Sequence, residues 1–483
     1  MNALGWLLVL PVGCAALVAL APGARAVLGL CVAGSLAETV AVVLAALRAQ
    51  TSPLFLGGDQ LFLDPLSAYH AVLVVLVFML SSLYAHRYFS ADAHFDARRA
   101  RRFGLLWFLF LASMLLTLCS NNLGLMWVGM EATTVASALL VCLDGERPAL
   151  RAAWTYLLMC SVAIALALLG IVLVCADARQ ALGDTPGVFL WTELRAAASR
   201  LHPGPVRLAF LFALVGYGTK AGLAPMHSWL PEAHGQAPTP VSAVLSGVLL
   251  NCALYCLSRF LPLVDATSPG WAGSVLVPFG VLSMVVAAAF IVHEHDIKRL
   301  LAFHSVEHMG IITLGLGFGA SAAALFHTLN HSFCKMLTFF CAGGLAQRYG
   351  GRDMARMRGT LRVTPLTGAG FLVGLLALIG TPPFSVFMSE LWIARVGVEG
   401  GHLYAVVGFF AAAAVVFVAA FRHAVEMTWA GDGTPPPGPA SVGQVGAPLV
   451  LAPLALLLLL GIWLPSAFGG VLGRAAALIG GRP

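Results

Sequence analysis

Six ionisable residues stand in stretches of chain that are otherwise almost wholly apolar: Glu131, Lys220, His327, His331, Lys335 and Glu390. A charge at the middle of a bilayer costs at least about 2.5–3.5 kcal/mol, so a residue of this kind retained there marks a functional site by default. The chemistry these types share is proton exchange. Glu131 lies half way along its apolar run, where no snorkelling stem reaches water, and it needs a cation partner. Lys220 is followed by Pro225, which frees backbone carbonyls and breaks the helix; broken helices at membrane depth face protein or a hydrated cavity. A lysine whose charge depends on whether a carboxylate is near is a proton-loading element. A permanent structural ion pair is the other reading.

His327, His331 and Lys335 recur at i, i+4 and i+8, which aligns them on one helix face over about 12 Å. Imidazole both accepts and donates, so such a stripe suits a relay. The rival readings are a metal held by the two histidines, for which no third ligand stands at a fixed nearby spacing, and satisfied structural histidines. In 381–390 the prolines Pro382 and Pro383 come first and Glu390 after, the Lys220 design reversed, as an inverted repeat would give. His304, Glu307 and His308 match the H-x-x-E-H pattern of inverted zinc peptidases. That reading leaves the other stranded groups unexplained; otherwise the three lie near a helix start beside Lys298 and Arg299. Glu38 is an isolated acid in the second apolar stretch.

The elements that must hold these residues follow from composition. The chain has 483 residues, 60% hydrophobic and 10% charged, with mean hydropathy +0.91. Soluble globular domains are roughly 45–50% apolar and about 25% charged, so this is a membrane protein. Fourteen apolar stretches are long enough to span roughly 30 Å of hydrocarbon: 3–22, 26–47, 66–86, 103–119, 121–143, 152–176, 207–231, 238–260, 271–292, 300–318, 321–346, 366–392, 403–426 and 447–469. The expectation is an all-α polytopic protein of about fourteen transmembrane helices, with two inverted five-helix repeats and two broken helices. Residues 1–102 hold the first three helices, 103–260 the first repeat, 271–425 the second, and 447–483 the last helix and a tail. A Pro/Gly tract at 431–439 reads as a flexible connector.

Of the 27 lysines and arginines, sixteen fall in one set of alternate loops and nine in the other, with Lys220 and Lys335 inside spans. Basic residues are retained in the cytoplasm, so both termini are expected outside it, in a bacterial inner membrane. None of the ten cysteines forms a C-x-x-C pair, and no iron–sulfur, haem or flavin motif is present. No cofactor and no metal are expected, and redox chemistry would belong to another chain. A nucleic-acid partner has no continuous basic stripe to bind.

Four motifs resemble one family: 216–234 (GYGTKAGLAPMHSWLPEAH), 296–310 with its central DIKRLLA, 327–335 (HTLNHSFCK), and 382–390, which runs from PPF to SE. They are similar to the antiporter-like subunits of complex I and of membrane-bound hydrogenases, most of all to the hydrogenase-4 component F group, over roughly 60–425. The resemblance implies a proton-translocating subunit without a cofactor, in which Glu131 partners Lys220, the His327/His331/Lys335 stripe carries protons and Glu390 ends the row. His234, His304, Glu307 and His308 are the expected candidates for an accessory proton site. It also implies partner membrane subunits and electron-carrying peripheral subunits. An Mrp-type cation/proton antiporter and an inorganic-carbon uptake subunit stay open as alternatives. Three positions depart from the pattern: Asn251 and Thr155, where lysine is expected, and His304, where serine is usual. The chain ends soon after its fourteenth stretch, so the long lateral helix of the distal complex I subunit is not expected.

Overall fold

The computed structural model describes residues 3–92, 94–431 and 442–480, so the connector expected at 431–439 lies, beyond Gly431, outside the described residues. In lipid, a backbone satisfies its own N–H and C=O groups as a helix or a closed barrel. This chain is helical almost throughout. The N-terminal group is α1 (Ala3–Leu20), α2 (Ala24–Ala49), α3 (Pro65–Ser90) and α4 (Ala97–Leu118). Next come α5 (Leu123–Val141), α6 (Arg147–Leu182), α7 (Trp191–Ala196), α8 (Pro203–Ala221), α9 (Trp229–Gln236), α10 (Thr239–Val244), α11 (Leu250–Ser258) and α12 (Leu261–Thr267). The rest is α13 (Trp271–Ile291), α14 (Ile297–Gly317), α15 (Ser321–Tyr349), α16 (Thr360–Val363), α17 (Pro365–Leu378), α18 (Ser385–Glu399), α19 (Leu403–Thr428), α20 (Ala447–Ile462) and α21 (Ser466–Ile479).

Side-chain caps start the helices where the sequence provides them. Asp64 accepts from the Ser67 amide with Pro65 at the first turn, Asn122 from Gly124 and Leu125, and Asp296 from Lys298 and Arg299. A π turn at Leu245–Leu249 joins α10 to α11, so that Thr239–Thr267 runs as one crossing element. Ten helical runs among the described residues are long and apolar enough to cross a membrane, or eleven with the bent α20/α21 pair. The broken helices are present as expected: α8 and α9 are parted around Pro225, and α17 and α18 around Pro382 and Pro383.

Three expectations need correction. The chain is not purely helical, because β1 (Leu54–Leu56) and β2 (Leu61–Leu63) form an antiparallel hairpin with Leu54 opposite Leu63. Its turn holds Gly57, Gly58 and Asp59 at positive φ, a turn signal between the second and third apolar stretches. The last apolar stretch is not one span to 469, since the chain bends 86° between α20 and α21 at Pro465, which removes a donor, and α21 lays Leu472, Ala475 and Ile479 back on the bundle. Arg259 and Lys298, counted as loop charges, are buried at 2% and 4% exposure.

Packing sorts the helices by polarity. The most apolar part of Thr239–Thr267 is wholly buried, and 94% of that of α14; the corresponding figures for α13 and α19 are 39% and 33%. The polar helices are therefore central, and the apolar ones form the lipid-facing rim. Close approach makes this possible: Gly310 and Gly280 face each other between α13 and α14, where a Cβ on either would meet the other's carbonyl at 2.8 Å.

Candidate functional site

Of the six stranded residues, Lys220, His327, His331 and Lys335 are fully buried, and Glu131 and Glu390 are half-buried. Lys220 stands in the last turn of α8, just before Gly222 ends the helix at φ 79°. Its ammonium donates to Tyr156 Oη at 2.5 Å and to Thr134 Oγ1 at 2.8 Å, and sits 4.6 Å from the centre of the Tyr156 ring. Tyr156 in turn shares a 2.8 Å hydrogen bond with Ser137. Glu131 lies one helical turn before Thr134 and accepts from Ser161 Oγ at 2.5 Å, while its second carboxylate oxygen has no protein partner. Among the described residues no ion pair joins Glu131 to Lys220. The cation partner expected for Glu131 is thus one neighbouring turn away and bound to hydroxyls.

The second cluster joins α14, α15 and α18. His308 Nδ1 and His327 Nε2 are 2.8 Å apart, and His327 Nδ1 is 2.9 Å from Ser389 Oγ. Ser389 donates its own proton to the Val386 carbonyl at 2.8 Å and accepts from Asn330 Nδ2 at 3.0 Å. Which nitrogen donates in the His308–His327 and His327–Ser389 contacts is set by the tautomer each ring adopts. His308 Nε2 is buried and has no protein partner. The His331 ring lies 5.4 Å from that of His308, and neither of its nitrogens has a protein partner. Lys335 donates to the Leu301 carbonyl. Glu390 reaches the same cluster across the break, with donor atoms of His308, His327 and Glu390 all within 4.8 Å of one another. Gly380, at φ 69°, makes room for that carboxylate, which a Cβ there would strike.

His304, Glu307 and His308 are likewise grouped within 4.8 Å, and His304 Nδ1 donates to Glu307 Oε2 at 2.9 Å. All three are buried two or more turns inside α14 and are continuous with the stripe, so they are neither a polar helix start nor a cleft open to a peptide. Either group has donor types that suit a metal, yet the facing nitrogens of His308 and His327 are hydrogen-bonded to each other. His234 stacks on Phe339 at 5.5 Å, with both ring nitrogens unpartnered.

Between the clusters stand two polar contacts, Ser246 with Ser305 at 2.6 Å and Asn251 Nδ2 with Ser332 Oγ at 2.9 Å. Asn251 therefore keeps a polar link at the position where it departs from the family pattern. Thr155 lies next to Tyr156 on α6, which carries the lysine's partner instead. Glu38 is buried with both oxygens unpartnered, apart from these groups.

Sequence reasoning missed Tyr156, Thr134, Asn330 and Ser389, because uncharged hydroxyls and amides in apolar helices are common and carry no charge signal. It also missed the buried pair in which Arg259 Nη1 and Nη2 donate to Asp64 at 2.7 and 2.8 Å, with Ser67 and Tyr255 beside them. Lys298 donates to the Ala237 carbonyl at the end of α9.

Residues 120–416 match the family model described as NADH:quinone oxidoreductase/Mrp antiporter, TM. The hydrogenase-4 component F homolog of Methylacidiphilum infernorum is 38% identical over 343 residues, covering 70% of this chain and 72% of that protein. NADH-quinone oxidoreductase subunit N of Desulforudis audaxviator is 30% identical over 397 residues, covering 79% and 74%. A chain of the membrane-bound sulfane sulfur reductase, an archaeal respiratory membrane complex, superposes with a TM-score of 0.87 over 99% of this chain and 97% of its own, and at 22% identity it shares the fold. The chain belongs to the NADH:quinone oxidoreductase/Mrp antiporter transmembrane family.

Proposed function

We propose that this chain is a proton-translocating membrane subunit of a hydrogenase-4-like or NADH:quinone oxidoreductase-like complex, passing protons along a buried row from Glu131 and Lys220 to Glu390. The observation that carries the reading is the burial of titratable groups in two hydrogen-bonded clusters at the centre of the bundle, each beside a helix break. Lipid-facing positions would have served a merely apolar scaffold equally well, and a buried polar group without a partner is costly.

In this reading Lys220 swings between two settings. Held by Tyr156 and Thr134, it is parted from Glu131; released, it has that carboxylate one turn away on α5. Partner-driven movement of charge shifts the balance, since a field acts most strongly on an ion in low dielectric. A proton then crosses the Ser246–Ser305 and Asn251–Ser332 region to His304 and Glu307, enters at His308 Nε2, and leaves through His327 or Glu390. The bare nitrogens of His331 and His234 suit a wetted route, because buried polar atoms are normally paired with protein or water.

Fourteen crossings follow if α8, α15, the broken α17/α18 and α20 are added to the ten apolar runs; α8 carries Lys220, and α15 carries His327, His331 and Lys335. The five-helix units 103–260 and 271–425 are then inverted repeats, flanked by 1–102 and 447–483. The arginine-rich end faces the cytoplasm of a bacterial cell, with both termini opposite. The partners are further membrane subunits and peripheral electron carriers, and no cofactor resides on this chain.

The test is isolation of the tagged full-length chain from its native membrane, followed by reconstitution of what accompanies it. Electron-transfer enzymes in the isolate and proton uptake driven by their substrate are expected. Sodium- or potassium-dependent proton flux from an isolate without redox subunits would overturn the reading in favour of an antiporter.

A further inference from the structure

At the arginine-rich end of the bundle, two cavities lie one above the other between the end of α13 and the C-terminal half of α19. The outer one, about 470 Å³, is lined by His293, His295, Arg358, Arg422, His423 and Glu426 among others. The inner one, about 450 Å³, is lined by Ala414, Val415, Val418 and Ala419. They share Val292, Arg422 and His423 and so form one continuous groove, polar at one end and apolar at the other. The apolar part faces lipid: Val415 and Val418 are 46% and 67% exposed on a helix otherwise suited to hydrocarbon.

The polar part has a surplus of positive charge. Glu426 accepts from Arg422 Nε at 2.9 Å and lies 3.9 Å from Arg358, one acid against two arginines. Arg358 spends its Nε on the Ala355 carbonyl and Nη1 on that of Glu426, both at 3.1 Å. The Nη groups of Arg422 point from an exposed side chain, and His293 and His295 are exposed beside them. His423 donates from Nε2 to the Ile291 carbonyl at 3.3 Å, tying the two helices together at the point where the cavities meet.

We propose that this groove binds one anionic glycerophospholipid, with the phosphate held by Arg358 and Arg422 and an acyl chain laid along Val415 and Val418. The match is of charge with charge and of apolar length with apolar length. A phosphate without a chain would leave the lower cavity unused, and a neutral zwitterionic lipid would leave the surplus arginine uncompensated. Basic pockets between helices at this membrane level are suited to anionic headgroups.

The test uses the purified full-length chain in mild detergent, titrated with dioleoylphosphatidylglycerol, dioleoylphosphatidylcholine or inorganic phosphate, and read by native mass spectrometry. One phosphatidylglycerol per chain is expected to stay bound, phosphatidylcholine is expected to dissociate, and millimolar phosphate is expected not to compete. The Arg358→Gln/Arg422→Gln variant should bind phosphatidylglycerol roughly 25-fold more weakly, two surface arginines each contributing about fivefold. Val415→Trp/Val418→Trp, which fills the lower cavity and keeps the charges, should weaken it as well. Unchanged size-exclusion and melting profiles show that the variants are folded; where the arginine pair does not fold, the valine pair alone decides. Equal retention of both lipids, equal binding by wild type and folded variants, or displacement by inorganic phosphate would overturn the proposal.

Discussion

Tyr156 is the residue on which the lysine's position depends most directly, since its hydroxyl takes a 2.5 Å hydrogen bond from Lys220 and joins it to Ser137. Tyr156→Phe keeps the ring beneath the ammonium and removes that bond. Proton translocation by the assembled complex is expected to fall roughly tenfold, the worth of one hydrogen bond to a charged group, with assembly unchanged. Gly380 gives a second test. Gly380→Ala drives a Cβ into the Glu390 carboxylate at a backbone angle that alanine resists, so transport should drop, while Gly473→Ala in α21, where a Cβ meets nothing within 4 Å, leaves it nearly intact. At this scale the charged members of the site were legible, because Lys220 or His327 in an apolar run has no cheap structural excuse. Their hydroxyl and amide partners were not. Tyr156, Asn330 and Ser389 acquire meaning only from distant residues that folding brings to them, and spacing along one helix cannot reveal a contact across three.

The elements place these groups through their breaks. α8 stops immediately after Lys220, and α18 starts five residues before Glu390, so each charge sits beside backbone that is not committed to a regular ladder. Pro225 made the first break readable in the sequence, and the Pro382–Pro383 pair the second. Less readable were the hairpin, whose strands are three residues each, and the turn between α20 and α21, where a hydropathy window ran across Pro465. The join between α3 and α11 was hidden because Arg259 sits at the edge of its apolar stretch, where a basic residue normally faces water. It is buried against Asp64 instead, with bidentate geometry. Arg259→Leu or Asp64→Asn alone should destabilise the protein by about 3–5 kcal/mol, because each leaves a buried charge uncompensated. The double variant Asp64→Asn/Arg259→Leu should recover a large part of that loss, and thermal unfolding in detergent monitored by tryptophan fluorescence compares the three. Additive losses would show that the pair does not act as a unit.

The whole molecule inverts the usual separation of polar and apolar residues: its most polar helices are central and its most apolar ones form the rim. That arrangement explains why the total of crossing helices is harder to read than the site. A helix made to carry protons sacrifices the hydropathy that would identify it as a span, as α15 does with His327, Asn330, His331 and Lys335. It also sets the most direct test, which is the number of protons moved per electron by the intact complex in sealed vesicles with Lys220→Ala in this chain. With redox turnover and subunit composition matched to wild type, the account predicts a lower proton-to-electron ratio and a partial return with Lys220→Arg, which restores a charge but not a readily exchanged proton. An undiminished ratio in Lys220→Ala would contradict it.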